Sequence, residues 1–248
     1  MLELKNISFA AENDGEEKQI INDISLTIDD DKFTVITGPN GGGKSTLARI
    51  IAGIEKPLSG RILLDGEDIT DMSITERAKA GIGFAFQQPV RFKGLTVLDI
   101  LKIASGKNIK VSEACEYLSE VGLCAKDYIG REINASLSGG ELKRIEIATV
   151  LARDPRLAVF DEPEAGIDLW SFQNLIRIFE NMRKSVKGRS IIVISHQERI
   201  LNIADEIIVL AQGSILKRGD KQTIMPEITG TDSAVGACGC LTRRVKIW

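Results

Sequence analysis

Gly38-Pro-Asn-Gly-Gly-Gly-Lys-Ser-Thr46 sets a lysine and two hydroxyls behind a run of glycines. The pattern Gly38-x-x-x-x-Gly43-Lys44-Ser45 lets backbone N–H groups turn inward around phosphate oxygens. Lys44 then reaches the β- and γ-phosphates, and the Ser45 hydroxyl can ligate Mg²⁺. Pro39, Asn40, Gly41, Gly42 and Thr46 complete this loop. Farther along, Leu157-Ala-Val-Phe-Asp-Glu162 ends an apolar run in two carboxylates. Asp161 is suited to hold Mg²⁺ through water, and Glu162 to orient and polarise an attacking water. Neighbouring strand residues point to opposite faces, so the pair requires the strand to end there, and Pro163 supports an end. The single histidine, His196, follows another apolar run, Ser190-Ile-Ile-Val-Ile-Ser195. Residues of these types in this order point to ATP hydrolysis.

The elements around them must hold these groups in place. Residues 32–37 read as a short buried strand running into the glycine loop, and residues 45–52 as an apolar-periodic helix leaving it. That helix offers its positive N-terminal end to the same anion. Residues 2–9 alternate like an edge strand and residues 20–28 alternate again, so the two read as an antiparallel hairpin across a charged turn. Residues 59–66 form another strand and turn. Helical spacing marks residues 95–104, 111–121 and the segment after Gly140. β-Branched strands return at 157–160, 191–195 and 207–210 with helices between them, which predicts a mainly parallel sheet with crossover helices. Residues 226–248 show no clear periodicity and form a tail, either docked or mobile.

Bulk properties narrow the function class. The chain has 248 residues, 43% hydrophobic and 27% charged, and a formal charge of −3. That balance gives no reason to invoke nucleic acid or an anionic membrane surface. No apolar stretch approaches the ~20 residues needed to cross a bilayer, and the first residues lack a signal-peptide layout. The expectation is a cytoplasmic protein with no direct membrane insertion. Cys115 and Cys124 then read as reduced, half-buried thiols. Cys238-Gly-Cys240 is either an incidental reduced pair or a contact for iron or persulfide sulfur.

Leu137-Ser-Gly-Gly-Glu141 is the most discriminating feature, because it falls between the phosphate loop and the carboxylate strand. With it the sequence resembles the ABC ATPases over residues 2 to about 222. The resemblance implies an α/β P-loop NTPase fold of the ABC type. Its parts are a RecA-like parallel-sheet lobe (about 1–87 and 155–225), an antiparallel β subdomain and an inserted helical subdomain (about 88–154). It also implies that Ser138, Gly139 and Gly140 bind the γ-phosphate held by the opposite subunit's Lys44 loop. Two ATP would thus be sandwiched in a head-to-tail, ATP-dependent homodimer. Gln87, with Gln88 as the neighbouring alternative, matches the family's Mg²⁺- and water-sensing glutamine. Ala165-Gly-Ile-Asp168 matches the segment crossing the dimer interface, and His196 the histidine that senses the γ-phosphate. The sequence departs from the family where an aromatic ring stacks on adenine: Ala10 or Ala11 stands there, and Phe9 reads as core.

Within the family, three spellings resemble the SufC branch, the soluble ATPases of Suf iron–sulfur cluster assembly. They are Gly83-Phe-Ala-Phe-Gln-Gln-Pro-Val90, Ser138-Gly-Gly-Glu-Leu-Lys-Arg144 and Ser195-His-Gln-Glu-Arg-Ile-Leu201, and Asp161-Glu-Pro-Glu-Ala-Gly-Ile-Asp168 leans the same way except for its transporter-like Pro163. This branch implies that ATP-driven closure reshapes a SufB/SufD-like scaffold protein docked beside Gln87, with Pro89, Val90 and Phe92 either at the contact or in the core. It also implies a resting pair between Lys143 and Glu162, against the alternative that Lys143 is an exposed helix cation. The competing expectations are the energy subunit of a membrane transporter and a non-transport binding module.

Overall fold

The structure is a computed structural model that describes residues 1–13, 16–134, 136–184 and 187–229. The chain opens with β1 (Leu2–Asn13), β2 (Glu16–Ile28), β3 (Phe33–Thr37), α1 (Lys44–Ala52), β4 (Ser59–Leu64) and β5 (Glu67–Asp68). It continues through α2 (Ile74–Lys79), β6 (Ile82–Ala85), α3 (Val97–Ser105), α4 (Val111–Glu120), α5 (Ala125–Tyr128) and α6 (Gly139–Arg153). The last third holds β7 (Leu157–Asp161), α7 (Leu169–Lys184), β8 (Ser190–Ile194), α8 (Glu198–Leu201), β9 (Glu206–Ala211), β10 (Ser214–Asp220) and α9 (Lys221–Thr229).

Two sheets form. The larger has the order β10-β9-β3-β8-β7-β6, parallel except for β10, which pairs antiparallel with β9. The smaller is the antiparallel β2-β1-β4-β5. The central strands β3, β7, β8 and β9 are buried along their whole length. Continuous Val/Ile runs are what a parallel sheet covered on both faces requires. Alternation then divides them between two cores. Ala158, Phe160, Ile191 and Val193 face the helices α3, α4, α6 and α7. Leu157, Val159, Ile192 and Ile194 face α1 and the antiparallel sheet.

Local signals set several helix ends. Ser73 with Glu76, Thr96 with Asp99 and Ser138 with Glu141 form reciprocal capping boxes at α2, α3 and α6. Gly53 ends α1 in the left-handed region at φ 79°. Arg77 braces this end of α1 from within the core. Its guanidinium is 1% exposed and donates to Ile50 O at 2.6 Å, Ile51 O at 3.0 Å and Thr70 O at 2.7 Å. A cation at a helix C-terminus satisfies carbonyls that have no intrahelical partner.

Two expectations need correction. β1 is an interior strand, hydrogen-bonded to β2 on one side and β4 on the other. Its alternation reflects one buried and one outer face, which an interior antiparallel strand shares with an edge. The tail does not start at residue 226: α9 runs through Pro226 to Thr229, and Ile224 on it is buried. Cys238 and Cys240 lie outside the described residues. Cys115 is half-buried, whereas Cys124 is exposed.

Candidate active site

Every chemical group singled out around the phosphate loop sits at the C-terminal end of a parallel strand. The loop follows β3, Gln87 follows β6, Asp161 and Glu162 end β7, and His196 follows β8. The turn after β9 adds Gln212 and Gly213. Ligands of open α/β sheets bind at this edge because the connecting loops diverge there.

The loop's shape depends on its glycines. A Cβ on Gly38 (φ 135°) would lie 2.0 Å from Leu210 O, so the backbone passes directly over β9. Gly43 (φ 98°) sits close to β2, where a Cβ would lie 2.7 Å from Ile21 Cδ1. Lys44 is 5% exposed and donates from Nζ to Gly38 O at 2.8 Å and Pro39 O at 2.9 Å. Burial pulls its ammonium below the ordinary lysine range, opposed by the nearby Glu162 and Asp161 carboxylates.

Behind the lysine, Ser45 Oγ donates to Asp161 Oδ1 at 2.8 Å. Asp161 is 2% exposed, and burial raises its carboxyl above the ordinary range against the Ser45 bond. Gln87 Nε2 donates to Glu162 Oε2 at 2.5 Å. Glu162 takes a left-handed backbone, φ 43°, while its N–H donates to Ile194 O at 3.1 Å. A non-glycine residue in that region is uncommon, and such residues concentrate at functional sites. It turns the chain off the strand, so that Glu162 lines the pocket beside the loop. The Ser45 hydroxyl and the Asp161 carboxylate beside it, like the Gln87 amide oxygen, are oxygen donors of the kind Mg²⁺ takes.

One pocket joins Lys18, Gln19 and Ile20 of β2 to the loop, Gln87, Glu162, Gln212 and Gly213. Ser138, Gly139, Gly140 and Asp168 do not line it. They gather on a separate face. Ser138 caps α6, accepting from Glu141 N at 3.3 Å and donating its own N–H to Glu141 Oε2 at 2.6 Å. Tyr128 OH also donates to Glu141. Asp168 caps α7, accepting from Trp170 N at 2.9 Å, Ser171 N at 3.0 Å and Ser171 Oγ at 2.7 Å. The two caps pack together, since a Cβ on Gly140 would meet Ser171 Oγ at 2.6 Å. A second hollow spans Gly139, Lys143, Ala165, Gly166 and Gln87, so Gln87 borders both regions.

One position departs from the sequence reading. Lys143 does not reach Glu162. It is 2% exposed, pairs with Glu146 Oε2 at 3.0 Å and donates to the Phe86 carbonyl. It is therefore not an exposed helix cation either. His196 is exposed, and its ring lies 3.3 Å from Gln197 Nε2. Val90 and Phe92 are both exposed and line an apolar hollow with Phe84, Phe86, Ile100 and Leu142.

Sequence reasoning missed Glu164. It is 9% exposed, accepts from Ser195 Oγ at 2.5 Å, and burial raises its carboxyl above the usual range. No local pattern marks a buried glutamate just beyond a strand. It also missed the Lys18–Gln19–Ile20 wall, although strand alternation in residues 20–28 was visible.

A two-core α/β domain with a phosphate loop, a carboxylate pair and a serine-capped helix defines an ATP-binding cassette of the P-loop class. The chain belongs to the ABC transporter family, whose model matches residues 21–165, and it is an ATPase. It is 40% identical over 215 residues to an uncharacterized ABC transporter ATP-binding protein of Methanocaldococcus jannaschii, covering 84% of this chain and 85% of the relative. It is 33% identical over 248 residues to a probable ATP-dependent transporter, ycf16, of Cyanophora paradoxa, covering 94% and 93%. Among solved structures, a dimeric ATP-binding cassette in a post-hydrolysis state bound to ADP and Pi superposes with TM-score 0.79. That cassette is 26% identical, over 89% of this chain and 99% of its own.

Proposed function

We propose that the chain is the ATP-hydrolysing subunit of a larger assembly, and that it works as a head-to-tail homodimer closed by two ATP. The observation that carries this is the separation of the two glycine-led turns. The phosphate-loop pocket is lined by the loop, β2, Gln87, Glu162, Gln212 and Gly213, and the serine-capped turn of the same protomer does not line it. A second copy would bring its own Ser138, Gly139 and Gly140 to that pocket. The N-terminus of its α6 would meet the γ-phosphate, where a helix end favours an anion.

In this reading Lys44 neutralises the β- and γ-phosphates, and the loop N–H groups hold them. Mg²⁺, held by Ser45, Asp161 and Gln87, would supply charge neutralisation at the phosphate oxygens. Glu162 orients the attacking water from its turned position, and Gln87 sets the orientation of Glu162. His196 reaches the γ-phosphate from the end of β8, and Asp168 crosses between protomers. Residues 88–154 act as the unit that carries the serine turn toward the partner copy. The test is oligomeric state and rate together. ATP should convert a Glu162→Gln monomer into a dimer by light scattering, and wild-type velocity per molecule should fall on dilution. Velocity that stays flat on dilution contradicts the reading.

The names of the relatives favour a transporter, so the first proposed partner is a membrane component docked at the apolar hollow of Phe84, Phe86, Val90 and Phe92. No helix among the described residues is long and apolar enough to cross a membrane, so the spanning segments would belong to that partner. A second reading rests on the spellings around Ser138 and His196: a SufC-type ATPase acting on a SufB/SufD-like scaffold in the cytoplasm. Co-purification separates them. A multi-span membrane protein supports the first, and a cysteine-bearing scaffold that takes up iron–sulfur clusters supports the second.

A further inference from the structure

β6 ends at Ala85, and the next residue is held in an unusual way. The backbone N–H of Phe86 donates to Glu146 Oε1 at 2.9 Å, and its carbonyl accepts from Lys143 Nζ. Lys143 and Glu146 also pair with each other at 3.0 Å, with their side chains only 3% and 12% exposed. They stand at i and i+3 on α6 and so share a face. Both backbone polar groups of one residue are thus gripped by one buried ion pair on one helix. Taking that pair out of water is costly, and an apolar pair of similar size would pack as well. What the ion pair adds is direction, because it fixes how the chain leaves β6.

The next residue is Gln87, whose amide meets Glu162 at 2.5 Å. The other end of the same α6 is the Ser138 turn. Lys143 and Glu146 lie about 1.4 and 2.2 turns from Ser138 along a continuous helix. Any tilt of α6 therefore moves the serine turn and the Phe86 backbone together. We infer that the Lys143–Glu146 pair is a positioning clamp that ties each protomer's serine turn to its own Gln87 and Glu162. Resting on the head-to-tail reading above, it makes capture of one ATP by the turn set the water-orienting pair at the other ATP. The two sites then fire in concert.

The test uses the full-length protein. The double variant Lys143→Met with Glu146→Gln removes the charges but keeps the volume. It should lower kcat by about 2- to 30-fold, bring the Hill coefficient for ATP down toward one, and leave KM little changed. The charge swap Lys143→Glu with Glu146→Lys restores an ion pair but presents each Phe86 group with the wrong partner. It should remain as impaired as the double variant. Glu146→Asp keeps both charges and withdraws the carboxylate from Phe86 by one methylene. It should show the same loss of kcat in a protein of unchanged melting temperature. ATP-driven dimerisation is measured in parallel in the Glu162→Gln background. Normal dimers together with wild-type kcat and Hill coefficient in these variants, or rescue by the swap, overturn the clamp. Failure of the parent Glu162→Gln protein to dimerise overturns the head-to-tail reading, and the coupling with it.

Discussion

The two glycine-led turns are built in opposite ways. The phosphate loop is enclosed: Gly38 rides on β9, Gly43 on β2, and Lys44 and Asp161 are buried behind it. The Ser138 turn and the Asp168 loop lie on an exposed face, each holding its own helix end with a local cap. The enclosed region is set by long-range packing between strands far apart in sequence. The exposed one is set by residues three positions apart. The difference teaches that one protomer carries a finished half-site for triphosphate and a second, outward-facing half. The outward half does not line its own protomer's phosphate-loop pocket.

The sharpest way to break this comparison is Glu162→Gln. It should lower turnover by roughly 10²–10⁴-fold and accumulate ATP-bound dimers, read by single-turnover hydrolysis and light scattering. Hydrolysis at the original rate would show that another group orients the water. Ser138→Arg probes the exposed half alone. Turnover should drop by about 10²-fold or more, while equilibrium dialysis finds monomer affinity for ATP unchanged. Lys44→Ala probes the enclosed half alone, and here affinity should weaken by roughly 10- to 100-fold, the loss of charge-assisted bonds. If Ser138→Arg weakens monomer binding as much as Lys44→Ala, the two halves are not separable.

Smaller effects sharpen the contrast through stability. Arg77→Met leaves the carbonyls at the C-terminus of the loop helix without their buried donor. It should cost about 3 kcal/mol by urea titration, and disturb ATP binding more than dimerisation. Glu164 gives a pH signature. Burial raises its carboxyl, so the folded chain keeps this proton to higher pH than the unfolded chain does. Stability is therefore lost as pH rises through the window from the ordinary carboxylate value to the raised one. Glu164→Gln should add about 1 kcal/mol at pH 7 and nothing below that window, as read from melting curves at several pH values. A constant difference across pH would mean that Glu164 is ionised in the fold without penalty.

Much of this molecule was legible because its chemistry is local. The strand–loop–helix around Lys44 spans residues 33–52, and the strand ending at Asp161 and Glu162 and the serine cap before Glu141 are shorter still. Glycine freedom, alternation and capping mark such segments locally, although the phosphate loop's enclosure comes from β9 and β2. A mainly parallel sheet followed from the order of those segments, and the cassette type from the family resemblance they carry. Pairwise relations across the chain were not legible in the same way. That Gln87 rather than Gln88 reaches Glu162 depends on the direction in which the chain leaves β6. That direction is fixed by Lys143 and Glu146, nearly sixty residues away. Lys143 itself read as a partner of Glu162 or as a solvated cation, because sequence gives a charge and not its counter-charge. β1 read as an edge because alternation reports one buried face and is silent about neighbours in the sheet. The sequence alone determined which groups the protein owns and the short turns that present them. Tertiary structure decided which of them meet, since strand order and helix placement set distances that no local spacing encodes.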